Sequence, residues 1–373
     1  MTMIACTLNK GGPILLGDIL VSDEKKPDEF ILPTLSEDIF RYLSAEGDLF
    51  PVCLNQKMYI LAPNVCIGFA GKTAYIKKFL EDIRIYCKVQ SELTFSAMER
   101  FLKERKDDTW EHFSCIILVT KIEKDGLHLC KALHGQWLRG DSDVFEEVWS
   151  TGSGSLDFLI ETKRKVKIVS QFVPQDPRHA LQTNTVLLSQ LLARERAQLH
   201  TVKKHWGAGF EMIFFDKDHF AKIDDLTFVI NQGLVNPDGT VPTPVPGIIL
   251  HYKYHGDILL ITCIRTFGGR TTETDKQYII QSNNISVRPF IVVPLDYFGS
   301  TDFSNITRDL SFSSLHNAMG YIIETKTGLY LPASVNIGPE LQVSYNPIEG
   351  VSITMEKEIN ERMIREAKSE LLS

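Results

Sequence analysis

The order in which hydrophobic periodicity changes along the first 230 residues constrains this chain most. Residues 3–8 (MIACTL) and 13–22 (PILLGDILVS) read as strands around a tight turn at Asn9-Lys10-Gly11-Gly12, whose two glycines tolerate positive φ. Apolar runs at 57–62 and 64–69 flank Pro63-Asn64 and end in Gly68-Phe69-Ala70-Gly71. The period then becomes helical. Ile76, Phe79, Leu80, Ile83 and Cys87 fall on one face over 73–90, and Phe95, Met98, Phe101 and Leu102 on one face over 94–105. Strand-like runs return at 113–122 and 127–134, helices are expected over about 156–168 and 183–200, and a strand at 210–215 closes the section. Strands in antiparallel neighbours with helices in pairs predict two stacked sheets, each covered by helices. The expected fold class is therefore α/β, a four-layer αββα sandwich.

Two segments do not fit that rhythm. Residues 23–56 start polar and acidic (SDEKKPDE), carry a candidate helix at 36–46, and are too long for a hairpin connection, so they read as an insertion. From about 232 the composition shifts to turn formers, with Asn236-Pro237-Asp238-Gly239 followed by Pro242, Pro244, Pro246 and Gly247. Strand-like runs follow at 248–253, 258–265, 277–281, 289–294, 319–324 and 328–331, and a charged helix over 354–372 ends the chain. The expected organisation is one domain over 1–231 and a β-rich domain over 232–373, which suits a chain of 373 residues.

Composition excludes some classes of function. A net charge of −7 with scattered Lys and Arg argues against nucleic acid, and the short run at 163–167 (KRKVK) reads as a solvated helix face. No apolar stretch reaches the ~20 residues that span a bilayer. The first residues lack a secretory h-region, and the seven cysteines show no CxxC spacing. The chain is expected to be cytoplasmic, with reduced thiols, no metal and no cofactor. Cys6 reads as a core thiol inside the first strand, His200 and His205 as surface residues, and the Asp216–Asp225 acidic stretch as a polar hairpin rather than a metal loop.

A threonine at a chain terminus has a chemistry of its own. Its hydroxyl is a weak nucleophile and needs a base. A free α-amino group has a pKa near 8, so a useful fraction is neutral at pH 7 and one residue can supply both nucleophile and base. Thr2 would acquire this property on removal of Met1, which is readily cleaved before a small residue.

The spacing around Thr2 resembles that of the proteasome β-subunit family and of its bacterial relative, the peptidase of the two-component ATP-dependent heat-shock protease. In that family an Asp lies sixteen residues after the catalytic Thr. A catalytic Lys lies fourteen residues before the Gly of an Ala-Gly pair, and a Gly-Ser-Gly motif opens a later helix. Here Thr2 to Asp18 is sixteen residues, Lys57 to Gly71 is fourteen, and Gly152-Ser153-Gly154-Ser155 supplies the motif. The stretch 209–226 (GFEMIFFDKDHFAKIDDL) is similar to the closing strands of the bacterial peptidase. The likeness covers about 230 residues.

The resemblance implies a threonine-type peptidase or amidase. Thr2 would attack a carbonyl, and its own amine would take the proton. Lys57 would lower the pKa of both groups, Asp18 would hold Lys57, the Gly71 N–H would stabilise the oxyanion, and Ser153 would orient the amine. Ser22 matches a position that pairs with an extended substrate, and Phe69 one that shapes the pocket for the residue before the scissile bond. The resemblance also implies a peptide or protein substrate, a homo-oligomer and an ATPase or other protein partner. The family also has an Asp and a Ser-Gly pair that support the terminal amine. Lys204-His205-Trp206-Gly207-Ala208-Gly209 has neither the Asp nor the Ser, and the family Arg two residues after the Asp is Leu20. The competing expectation is a catalytically silent scaffold or ring subunit that acts through protein–protein contacts.

Overall fold

A computed structural model describes all residues except 1, 44–48, 91, 105–107, 124–125, 164–173, 235–239, 241–244, 315, 325–329, 337–340 and 373. At its centre a six-stranded sheet runs, in spatial order, Leu138–Gly140, Glu147–Gly152, Met3–Asn9, Gly12–Asp18, Phe210–Asp216 and His219–Lys222. Met3–Asn9 is hydrogen-bonded on both sides, Ile4 standing opposite Gly17 on one neighbour and Thr151 on the other. A four-stranded sheet of Gly126–His134, Phe113–Glu123, Val65–Gly71 and Met58–Ala62 faces it. Ile4, Leu15, Met58, Cys66, Ile116 and Ile213 fill the space between the two. Helices Thr73–Val89 and Phe95–Glu104 bury Ile76, Phe79, Leu80 and Phe101 against the far side of the four-stranded sheet.

The expected four-layer αββα sandwich is corrected by the sheets themselves. About 48% of the chain is strand and 26% helix, and the largest sheet has eight strands drawn from both ends of the sequence. Its order is Tyr330–Asn336, His316–Glu324, Leu226–Leu234, Val245–His255, Ile258–Thr266, Ile285–Pro294, Phe50–Gln56 and Leu20–Asp23. A five-stranded sheet packs on it through Val229, Ile249, Ile264, Tyr278, Met319 and Ile353. Helix Pro177–Gln198 is buried on most of its surface because it is wedged between the six- and eight-stranded sheets. The fold is strand-rich, with sheets that are mixed and antiparallel.

Two crossovers explain why local periodicity misplaces the strands. The run 13–22 is not one strand. At Ile19 the backbone N–H donates to Gly209 O (3.3 Å) while its carbonyl accepts from Asn55 N (2.9 Å), so the chain steps from the six- to the eight-stranded sheet at that residue. Lys57 makes the reverse kind of step, lying between Gln56 of the eight-stranded sheet and Met58 of the four-stranded one. Residues 23–56 therefore serve largely as a sheet connection. Of the expected helix at 36–46, residues 44–46 lie outside the described residues, and 36–43 hold a single 3₁₀ turn, Ile39–Arg41, capped by the Asp38 carboxylate on Phe40 N. The line drawn between residues 231 and 232 falls inside strand Leu226–Leu234, and Val293 pairs with Asn55 across it. The tail helix starts at Lys357, because Gly350–Glu356 is a strand paired with Leu341–Asn346. Most of the KRKVK run and most of the proline-rich segment lie outside the described residues. Among the described residues no helix is long and apolar enough to cross a membrane.

Candidate functional site

Thr2 precedes the first residue of the central strand, and both of its key neighbours sit at strand ends. Asp18 closes strand Gly12–Asp18, next to the Ile19 step, and Lys57 is the crossover residue. A position where a strand stops pairing frees a side chain from the sheet face, and here two such positions converge. The Thr2 hydroxyl donates to Asp18 Oδ1 and accepts from Lys57 Nζ. Lys57 Nζ also donates to Asp18 Oδ1 at 2.9 Å and to the Leu20 carbonyl. Asp18 Oδ1 accepts from Met3 N as well (2.8 Å).

The centre is dry. Thr2 is 2%, Asp18 0% and Lys57 3% exposed. Burial pulls the Lys57 ammonium below its ordinary value, and the Asp18 carboxylate opposes that shift by its charge and its hydrogen bond. A buried ion pair contributes little net stability, because the desolvation it requires offsets the attraction. What it does here is hold a cation against the oxygen of Thr2. A cation at that distance stabilises an alkoxide more than a hydroxyl, which lowers the barrier to attack by Thr2 Oγ1.

Two clefts meet at Thr2. One, of about 640 Å³, is lined by Val21, Ser22, Lys57, Phe69, Gly71 and Lys72 among others. The other, of about 1140 Å³, is lined by Gly71, Trp110, His112, His134, Gly152 and Ser153 among others. Thr2, Gly71 and His112 belong to both. Gly71 has φ of +132°, and a Cβ there would meet His112 O at 2.5 Å and Phe113 Cα at 2.6 Å. The position therefore tolerates only glycine while the backbone keeps this path between the clefts.

The remaining residues expected at the site are distributed as follows. Ser153 is beside Thr2, its hydroxyl donating to the Thr2 carbonyl (3.4 Å) and to the His205 carbonyl (3.5 Å). Ser22 lies on Leu20–Asp23, the last strand of its sheet, with its Oγ buried and unbonded. Phe69 is fully buried, its ring edge-on to Phe79 (centroids 5.5 Å) and Tyr59 (6.1 Å), so it forms the floor of the smaller cleft. From the other side, Asp23, Glu24 and Leu49 of the expected insertion line that cleft. Cys6 is buried in the first strand, and burial pushes its thiol up to about 12, which keeps it protonated and unreactive. His205 is half-buried rather than a surface residue, and burial lowers its pKa. Among the described residues no group of three His, Cys, Asp or Glu is placed to hold a metal ion.

Two contributions to the site lie beyond what sequence reasoning finds. The segment that lacks the family Asp and Ser supplies a backbone donor instead, Gly207 N reaching Asp18 Oδ2 at 2.9 Å. That loop is held by Glu195, a fully buried acid in helix Pro177–Gln198. It accepts from Ala208 N (2.9 Å), Thr201 Oγ1 (2.6 Å) and Thr34 Oγ1 (2.7 Å), and burial raises its pKa. At Leu20, where the resemblance would place an Arg, the backbone carbonyl accepts a hydrogen bond from Lys57 Nζ. Glu195 leaves no distinctive sequence signal, since the buried side of its helix also carries Thr183, Asn184, Thr185 and Ser189, and backbone donors leave none. No family model matches the chain, and no curated protein matches it.

Proposed function

We propose that this chain is a threonine-type hydrolase of peptide or amide bonds, with Thr2 as the nucleophile and a chemistry akin to that of the proteasome β-subunits. The observation that carries the reading is the buried contact of the Thr2 hydroxyl with both Lys57 Nζ and Asp18 Oδ1, at the junction of two clefts. The reaction requires the peptide bond before Thr2 to be cut, which frees the α-amine. That amine takes the Oγ1 proton as Oγ1 bonds to the substrate carbonyl carbon, and the carbonyl π pair moves to oxygen. The Gly71 N–H faces the developing oxyanion. Collapse expels the leaving amine with the proton, and water then releases the acyl group from Oγ1.

An extended substrate suits the smaller cleft. Strand Leu20–Asp23 ends its sheet order, so its outer edge can take a further strand by main-chain hydrogen bonds. The same reading expects an oligomer of copies of this chain, checked by mass in solution. The direct test is hydrolysis of a panel of fluorogenic peptidyl amides by wild type and Thr2→Ala. Turnover of at least one substrate, lost by about 10³-fold or more in the variant, supports the proposal. Equal rates for the two proteins would overturn it.

A further inference from the structure

Lys57 is aimed from a crossover, and a crossover residue lacks the continuous ladder that fixes direction within a sheet. Its carbonyl accepts from Phe69 N (3.1 Å) on the four-stranded side. Its own N–H donates to a side chain, Glu211 Oε2, at 3.0 Å. Glu211 is 2% exposed and stands on strand Phe210–Asp216 of the six-stranded sheet, opposite Gly17. Its other oxygen is also committed. Oε1 accepts from Lys222 Nζ (2.9 Å) and from Tyr254 Oη (3.0 Å). Tyr254 belongs to Val245–His255 of the eight-stranded sheet, and Lys222 Nζ also reaches Gln56 Oε1, one residue before Lys57. The Gln56 amide in turn donates to the Asp257 and Val292 carbonyls (2.6 and 2.7 Å).

One carboxylate thus ties the six-stranded sheet to the eight-stranded one at the residue on which the proposed chemistry depends, the residue that leads into the four-stranded sheet. We propose that Glu211 is a positioning residue, which fixes the Lys57 crossover and so makes Tyr254 and Lys222 part of the support of the Thr2 centre. The inference rests on the hydrolase reading for its catalytic consequence, but the geometry it describes is independent of that reading. A buried charge this close shifts the Lys57 titration whether or not it aims the side chain, so the split of kcat against KM and the charge-neutral Tyr254→Phe separate positioning from a merely structural role. Three acidic groups face Lys57 from the elements around it. They are Asp18 at the end of Gly12–Asp18, Glu211 on Phe210–Asp216 and Cys53 on Phe50–Gln56, and each favours the charged lysine. Removing the Glu211 charge therefore makes Lys57 lose its proton at lower pH. Glutamine at this position keeps a carbonyl oxygen for the Lys57 N–H while discarding the charge.

The test uses the full chain, with Glu211→Gln, Tyr254→Phe and the more drastic Glu211→Ala. Steady-state kinetics across pH on the best fluorogenic amide is one readout. Lys57 Cε chemical shift against pH, by NMR of lysine-labelled protein, is the other, and it needs no turnover. The expected result for Glu211→Gln is a kcat lower by about 3- to 10-fold with KM within twofold, because only the reactive arrangement is disturbed. Its alkaline limb and its Lys57 titration both move to lower pH. Tyr254→Phe is expected to lower kcat by about two- to threefold. Wild-type kcat and an unmoved Lys57 titration in a folded Glu211→Gln protein would overturn the inference. If wild type proves inert towards every amide, the hydrolase reading fails. The Lys57 titration of Tyr254→Phe, which changes no charge, then decides the positioning role, a shift upholding it and no shift refuting it.

Discussion

The chain holds two buried clusters with nearly the same ingredients, and they differ in what surrounds them. One joins Thr2 to Lys57 and Asp18. In the other, Thr227 Oγ1 lies 2.9 Å from His251 Nδ1, and His251 Nε2 lies 3.6 Å from Asp225 Oδ1. On composition alone the Thr227 cluster is closer to a catalytic triad, since a histidine stands between a hydroxyl and a carboxylate. Yet Thr227 is 0% and His251 2% exposed, and the imidazole lies flat under Phe312 with ring centroids 3.9 Å apart. Thr227 is the second residue of strand Leu226–Leu234 and is closed in on both sides, paired with His251 and Asn317 on its two neighbours. Thr2 sits at a strand end, where two clefts open. Triad-like content marks a reactive site only where a substrate carbon can reach the hydroxyl. The Thr227 cluster is a closed polar patch of the core, with His251 Nε2 left without a hydrogen bond.

The comparison can be broken most easily at the two threonines. Thr2→Ala is expected to lower amide turnover by about 10³-fold or more, whereas Thr227→Val leaves kcat/KM within twofold. A matched pair of activity assays checks both, and a large loss from Thr227→Val would invert the assignment. Next in size is Lys57→Ala, expected to cost about 10²- to 10³-fold in kcat, since it removes the cation beside the nucleophile. Its thermal unfolding should also shift downwards, because Asp18 is left buried without its counter-ion.

The sealed cluster makes a prediction of its own about pH. Burial pushes His251 from 6.5 down to about 3. The folded chain therefore refuses a proton that the unfolded chain accepts between these values. Stability from this residue is fully present above about pH 6.5 and is lost as pH falls towards 3, at up to about 1.4 kcal/mol per pH unit. Urea unfolding at several pH values should show this slope in wild type and not in His251→Gln. The smallest effect concerns stability at neutral pH. Thr227→Val removes one hydrogen-bond partner of His251 and should destabilise by about 1–2 kcal/mol, as read from the urea midpoint.

The two regions also differ in how legible they are in the sequence. Asp18, Lys57, Gly71 and Ser153 can be singled out because their spacing along the chain resembles a known pattern. Local periodicity locates the helices at 73–90 and 94–105 closely, since their apolar faces repeat at 3.6 residues. Strands 341–346 and 350–356 are missing from the expected elements although they alternate cleanly, with Leu341, Val343 and Tyr345 and then Val351, Ile353 and Met355 turned inward. The sheet partners are not readable. The steps at Ile19 and Lys57 carry no proline that would mark them, and only the tertiary partners Gly209, Asn55 and Glu211 make them crossovers. Gly207 meets Asp18 across 189 positions, and Glu211 meets Lys57 across 154. Such supports leave no local pattern, which is why the spacing of the central residues is legible and the architecture around them is not.

The central claim is that Thr2 is a chain-terminal nucleophile. Intact mass of the purified protein, before and after incubation with a hydroxyl-directed irreversible electrophile such as a peptidyl β-lactone, tests it directly. The expected result is a chain that begins at Thr2, gains one inhibitor mass, and gains none as Thr2→Ala. A folded protein that retains the residue before Thr2, or that is labelled equally with Ala in its place, would contradict it.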